Sequence, residues 1–137
     1  MPGPRLDRLP ALAEQMHEAG LAVKVDLDGV TAAADLPAGI ELSAYRIVQE
    51  ALTNALKHGG PGATAEVAVH RRRASLELVV VDDGTGPIPG KDGGGHGLLG
   101  MQERVALHGG ELRAGRRDGG GFEVRAWFPL PPRPVTG

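Results

Sequence analysis

Apolar residues recur along this chain with two spacings, and the change from one to the other marks its elements. Over Leu9 to Ala19, Leu12, Ala13 and Met16 share one helical face, Pro10 is tolerated in the first turn, Gly20 is a stop, and His17 lies off the apolar face. Val23, Val25 and Leu27 then alternate with Lys24, Asp26 and Asp28, the period-two pattern of a strand with one buried face, and Asp28-Gly29 turns the chain. A long amphipathic helix is predicted from about Glu41 to Lys57, ended by Gly59-Gly60-Pro61. Thr64 to His70 and Ser75 to Val81 read as a hairpin joined through Arg71-Arg72-Arg73. From Asp82 to Gly97 the sequence is nearly all glycine, proline and charge, which reads as a loop. Leu98 to His108 is a third helix with Leu98, Met101 and Val105 on one face. Leu112 to Gly115 and Phe122 to Phe128 form a last hairpin, with Trp127, Glu123 and Arg125 facing away from Phe122, Val124, Ala126 and Phe128. Hairpins without regular strand-helix-strand alternation predict an α+β fold: a mixed, mostly antiparallel five-stranded sheet with three helices on one face.

The central helix has an unusual polar stripe. At about 100° per residue, Ser43, Arg46, Glu50, Asn54 and Lys57 fall on one side, and Tyr45, Val48, Leu52, Ala55 and Leu56 on the other. A carboxylate, a carboxamide and an amine one turn apart can converge on one bound object, such as a metal with phosphates.

Composition narrows what that object is. In 137 residues, with 41% hydrophobic and 23% charged, there is room for one folded domain with a true core, and aromatics at 3% leave that core to Leu, Val and Ala. A net charge of -2 argues against a broad nucleic-acid surface, so any anion site is local. With Cys 0 there is no disulfide framework or thiolate metal site, which suits a reducing compartment. No apolar run approaches the length of a membrane span, and no signal-peptide pattern is present, so a soluble, cytoplasmic fragment is expected. Most of the 22 glycines follow Asp83, where they would bring backbone close to a ligand.

Two glycine motifs carry chemistry. Asp83-Gly84-Thr85-Gly86 sits where a strand stops; an aspartate there needs a donor, the exocyclic amine of adenine is a natural one, and the glycines would let a flat ring approach the backbone. Asp83 is preferred to Asp82 for its offset from Gly84 and Gly86. Gly95-His96-Gly97-Leu98-Leu99-Gly100-Met101 opens the third helix, and glycine-rich backbone at a helix N-terminus presents free amides and a positive dipole end to phosphate. The stretch also matches G-x-G-x-x-G, but no strand precedes it and no acid closes a second strand about twenty residues on, so a dinucleotide fold is rejected. A P-loop is absent, and His17, His70 and His108 lack metal-ligand spacing and read as surface or helix-end residues.

The stretches QEALTNALKH, DDGTG, GHGLLGMQERVALHGGEL and GGGFEVRAWFPLP resemble, in this order and on these elements, the catalytic ATP-binding domain of bacterial sensor histidine kinases. The likeness is greatest to the subfamily that includes the nitrate sensors, within the wider group shared with gyrase, Hsp90 and mismatch-repair ATPases, and it covers Leu9 to Leu130. It implies a two-layer α/β sandwich of the Bergerat type, with ATP and Mg2+ as cofactors. It implies Asn54 as magnesium ligand with Glu50 positioning metal or water, Lys57 as a phosphate contact with His58 beside it, Asp83 on the adenine amine, and Gly84 and Gly86 along the ring. Gly95, Gly97 and Gly100 would shape the lid and the phosphate end of the third helix, with His96, Leu98, Leu99 and Met101 among the nucleotide-binding positions. Two positions depart from the common pattern: Glu50, where many histidine kinases carry Asn, and Gly120, where many carry Thr. The acceptor histidine is expected on a helical dimerisation domain missing from this chain, with a response regulator as the further partner. Residues 1–8 then read as a linker remnant, 9–130 as the catalytic domain and 131–137 as a tail. The rival readings are a hydrolytic ATPase or an anti-sigma-type serine kinase on the same site, and a degenerate domain that binds only a partner protein.

Overall fold

A computed structural model of the chain describes residues 5–28, 36–60, 62–84 and 94–131, without the side chains of 94–98. A single 3-10 turn at Leu6–Arg8 leads into α1 (Leu9–Glu18), followed by β1 (Ala22–Asp28), α2 (Ala38–His58), β2 (Thr64–Arg71), β3 (Ser75–Asp82), α3 (Gly94–Leu107), β4 (Glu111–Arg116) and β5 (Phe122–Pro129). Pro37, extended at ψ 134°, sets the start of α2. At the other end the Gly59 N–H bonds Ala55 O at 2.8 Å, and Gly60 turns the chain away at φ 81°.

The strands form one sheet in the order β1-β2-β3-β5-β4. β1 pairs with β2 in parallel, Val25 opposite Val67, because the long α2 crossover lies between them; the other three pairings are antiparallel. Leu76, Leu78 and Val80 of β3, Val67 and Val69 of β2, and Val124, Ala126 and Phe128 of β5 are buried on the face that α2 covers. Ile47, Val48 and Leu52 of α2 meet them and are all but inaccessible. Each such side chain contributes about 1.5–3 kcal/mol by leaving water. The opposite face is open to solvent and carries Trp127, Arg125 and Glu123, as their alternation predicts.

The α+β class, the mixed mostly antiparallel sheet and its helical layer agree with the expectation from sequence; several details differ. The buried face of α2 centres on Ala44, Ile47, Ala51 and Ala55, while Tyr45 and Leu56 are only partly buried. Ser43, which a simple two-sided division puts on the polar stripe, is buried. The reason is that α2 touches α1, α3 and three strands, so more than half of its circumference is covered. Leu6, expected in a linker, is fully buried, and its N–H donates to Glu41 Oε2 at 2.9 Å. α3 starts at Gly94 rather than Leu98, so Gly95 and Gly97 belong to its first turns. Glycine disfavours helix by about 1 kcal/mol per residue, and packing against α2 and β4 outweighs that bias.

Candidate functional site

β3 stops at Asp82, and the strand's alternation continues through it. Leu76, Leu78, Val80 and Asp82 point to the helical layer, whereas Asp83, beyond the strand's end, is exposed. Asp82 is one of three buried polar residues among those described, with Ser43 and Ser75. Its Oδ1 accepts from the Gly84 N–H at 3.0 Å. Burial pushes its carboxyl above the usual aspartate range, against the pull of the Gly84 amide; the neighbouring Asp83 charge adds to the rise and the Phe122 amide opposes it. Asp83 has the opposite environment. Its Oδ1 accepts from the Thr64 N–H at 2.7 Å and its Oδ2 from the Thr64 hydroxyl at 2.9 Å, and these two bonds hold its carboxyl below the usual range.

Two glycines bring three chain segments together around Asp82. A Cβ on Gly84 would stand 2.3 Å from Gly59 Cα, at the end of α2, and one on Gly121 would stand 2.1 Å from the Asp82 carbonyl oxygen. Only glycine permits either approach. The seam opens into a shallow cleft lined by Gly59, Asp83, Gly84, Arg116, Arg117, Gly120 and Gly121.

The polar stripe of α2 runs toward this seam. Glu50 and Asn54 are half-buried, Lys57 is exposed and His58 is partly covered. Asn54 lies five residues before Gly59, roughly 7–8 Å along the helix axis. Glu50 lines a second cleft, of 640 Å³, with Arg46 and Gln49 on one wall and Gly100, Met101, Glu103, Arg104 and Leu107 of α3 on the other. Met101 is buried and forms part of that wall, while Leu99 and Gly100 are exposed. Gly95, His96, Gly97 and Leu98 lie in the first turns of α3, their side chains outside the described part; Gly86 is outside it altogether. The structure thus unites Glu50 with Gly100 and Met101, and joins the end of α2 to Gly84. Asp83 shares the shallow cleft with Gly59 at the end of α2, but both of its carboxylate oxygens accept from Thr64. Asp82, buried in phase with Leu78 and Val80, is the acid that period-two counting along β3 places on the helical face.

A family profile described as histidine kinase-, DNA gyrase B-, and HSP90-like ATPase matches residues 39–132. The chain belongs to this family. It is 36% identical over 126 residues to sensor histidine kinase LnrJ of Bacillus subtilis strain 168 and 32% identical over 126 residues to YxjM of the same strain, in each case 91% of this chain and 30% of the relative. It is 41% identical over 68 residues to the histidine-protein kinase/phosphatase UhpB of Salmonella typhimurium strain LT2, covering 50% of this chain and 13% of UhpB. The chain therefore spans about 30% of the length of LnrJ and YxjM. Among solved structures, the histidine kinase domain of the Erythrobacter litoralis EL346 blue-light-activated kinase superposes with a TM-score of 0.71 at 25% identity, over 95% of this chain and 64% of that one. The catalytic domain of ThkA, at 14% identity and TM-score 0.70 over 95% of this chain and 96% of that one, shares the fold. The resemblance read from the motifs is borne out at the level of the family: this is an ATP-binding domain of the histidine kinase type. No helix among the described residues is long and apolar enough to cross a membrane.

Proposed function

We propose that this chain is the catalytic part of a two-component sensor histidine kinase, which aligns the γ-phosphoryl group of ATP for transfer to a histidine on a helical dimerisation domain of the longer protein. A response regulator would then receive the phosphoryl group, on the cytoplasmic side of the cell. The nearest functional kin would be the nitrate-sensor type, and the catalytic domain would run from at least Leu6, since that residue is part of the core, to Leu130.

The observation that carries this reading is the buried carboxylate of Asp82 at a seam where glycines admit no side chain. We assign the adenine amine to Asp82 in place of Asp83, whose two oxygens are already engaged by Thr64. An ionised carboxylate bonded by the Gly84 and Phe122 amides keeps acceptor capacity for an amine, and its burial would make such a bond discriminate well. Gly84 and Gly121 set the backbone close enough to the base to shape its pocket. Asn54, with Glu50 one turn before it, would hold Mg2+. A carboxylate and a carboxamide one turn apart suit Mg2+, which keeps waters and phosphate oxygens in its shell and takes only one or two protein groups. When bound, the ion neutralises charge on the phosphates. The chain's own contribution is placement: Lys57 adds a cation beside Asn54, Gly100 and Met101 of α3 line the cleft that holds Glu50, and the free amides of the first turn of α3, one to two turns earlier, would meet the phosphates. Positioning and charge are most of what phosphoryl transfer needs from a protein.

The test is calorimetric binding of a non-hydrolysable ATP analogue, with and without Mg2+, to the wild type, Asp82→Asn and Asp83→Asn. Magnesium-enhanced binding that Asp82→Asn weakens by about 2 kcal/mol, roughly thirtyfold, is expected, with Asp83→Asn within about threefold of wild type. A loss confined to Asp83→Asn would return the adenine contact to Asp83. Mixing with an acceptor domain should then give acid-labile phosphohistidine; phosphate release by this chain alone, abolished in Glu50→Gln, would point to a hydrolytic ATPase instead.

A further inference from the structure

Ser43 is buried on the flank of α2 that meets the end of α3, and its Oγ shares a 3.2 Å hydrogen bond with Nε2 of His108, the first residue past α3. The imidazole is fitted on two further sides. Phe128 of β5 meets it edge-on, with ring centroids 6.0 Å apart at 63°. Gly39, in the first turn of α2, leaves just enough room: a Cβ there would stand 3.0 Å from His108 Cε1. Backbone bonds complete the fixture, since the N–H groups of His108 and Gly110 both reach Val105 O at 3.0 Å. His108 is a helix-end residue, as its spacing implies, and it also acts as a fastening between α2, α3 and β5.

What this fastening controls follows from the course of α3. The helices run past each other in opposite directions, Ser43 beside His108 at one end and Glu50 facing the wall that holds Gly100 at the other. α3 has 14 residues, about 21 Å at 1.5 Å per residue, so a tilt of about 5° at the His108 end displaces Gly94 by about 2 Å. A shift of about 1 Å in groups that align a reacting centre can cost about a hundredfold in rate.

We propose that His108 is a positioning residue for the nucleotide site: held by Ser43, Phe128 and the space at Gly39, it sets the tilt of α3 against α2 and so the place of the first-turn amides of α3 relative to Glu50 and Asn54. The role rests on the reading above that these amides meet the phosphates. His108 touches no substrate and acts only through α3.

The experiment compares wild type, Ser43→Ala, His108→Ala and His108→Gln by amide hydrogen exchange and by affinity for two ligands, adenosine and the Mg2+-bound ATP analogue. Both alanine variants are expected to speed exchange of α3 amides from Leu99 to Val105 by about tenfold while β3 amides at Leu78 and Val80 hold their rates. Affinity for the ATP analogue should fall about tenfold with adenosine within about twofold, because only the phosphate end depends on α3. His108→Gln, whose amide nitrogen can occupy the Nε2 position, should restore both readouts. Unchanged α3 exchange, equal acceleration in α3 and β3, or equal loss of adenosine and ATP analogue would each overturn the proposal. The wild type separates the two ideas: if it binds neither ligand the nucleotide reading fails first, and if it binds both and the variants show no split, the positioning role alone fails.

Discussion

The two faces of the sheet show how differently one residue type behaves one position apart. On the helical face the strands present Val67, Val69, Leu78, Val80 and Val124, all nearly inaccessible, and Asp82 sits at the rim of that apolar layer. The open face carries exposed ion pairs, Arg72 Nε of the β2–β3 turn to Glu77 Oε2 at 2.8 Å and Arg125 Nη2 to Glu123 Oε1 at 2.9 Å, and Asp83 beyond the end of β3 is tied to Thr64. Charge on the open face is solvated and worth little; charge on the covered face is costly unless it has a partner. A chain that keeps an aspartate on the covered face needs a donor for it, which is why the adenine contact is assigned there.

The contrast can be broken most forcefully in the core. Leu78→Ala should lower stability by about 2–5 kcal/mol, whereas the adjacent Val79→Ala on the open face should cost below about 1 kcal/mol, both read from urea denaturation. Near-equal losses would mean that something covers the open face in solution. Acidification sharpens the comparison at the site itself. Because burial raises the Asp82 pKa, its carboxylate is neutralised at a pH where ordinary aspartates are still charged, so adenosine affinity should begin to fall early between about pH 7 and about pH 4 and Asp82→Asn should flatten the profile. For folding the two acids act oppositely. The raised group costs stability as pH rises and it ionises; the depressed Asp83 contributes stability that is present at neutral pH and lost as pH falls through its lowered range. The smallest effect belongs to the surface: Arg125→Ala should change stability by less than about 1 kcal/mol, and by less still in high salt.

Much of this was legible before any coordinates, and the exceptions have physical causes. Strand alternation and helical period are local, so β2, β3, β5 and α1 were found within a residue or two at each end. The burial of Asp82 is legible from the period-two count through Leu78 and Val80, whereas the distance from Gly84 and Gly86 points to Asp83, so the two sequence signals favour different acids. His108 does stand at a helix end, as its spacing implies, but its bond to Ser43 spans α2 to α3, and no sequence period expresses a contact between Ser43 and His108. The early start of α3 was hidden for a similar reason: glycine propensity is local, while the packing that overrides it is not.

The pairing of β3 with β5 sets Asp82 directly opposite Phe122. Each of the two hairpins, β2 with β3 and β4 with β5, closes over a short connection and can form early, but joining them requires a loop that contains α3 and everything before it back to Asp82. Closing that loop carries a larger entropic cost than either hairpin, so the central seam is expected to zip after both of them. The proposed adenine pocket lies on this seam, and a chain still on its way to the native state would have two good hairpins and no place for a base. Nucleotide can then bind only the finished fold, and by mass action each tenfold excess over its dissociation constant would deepen the native basin by about 1.4 kcal/mol without speeding entry into it.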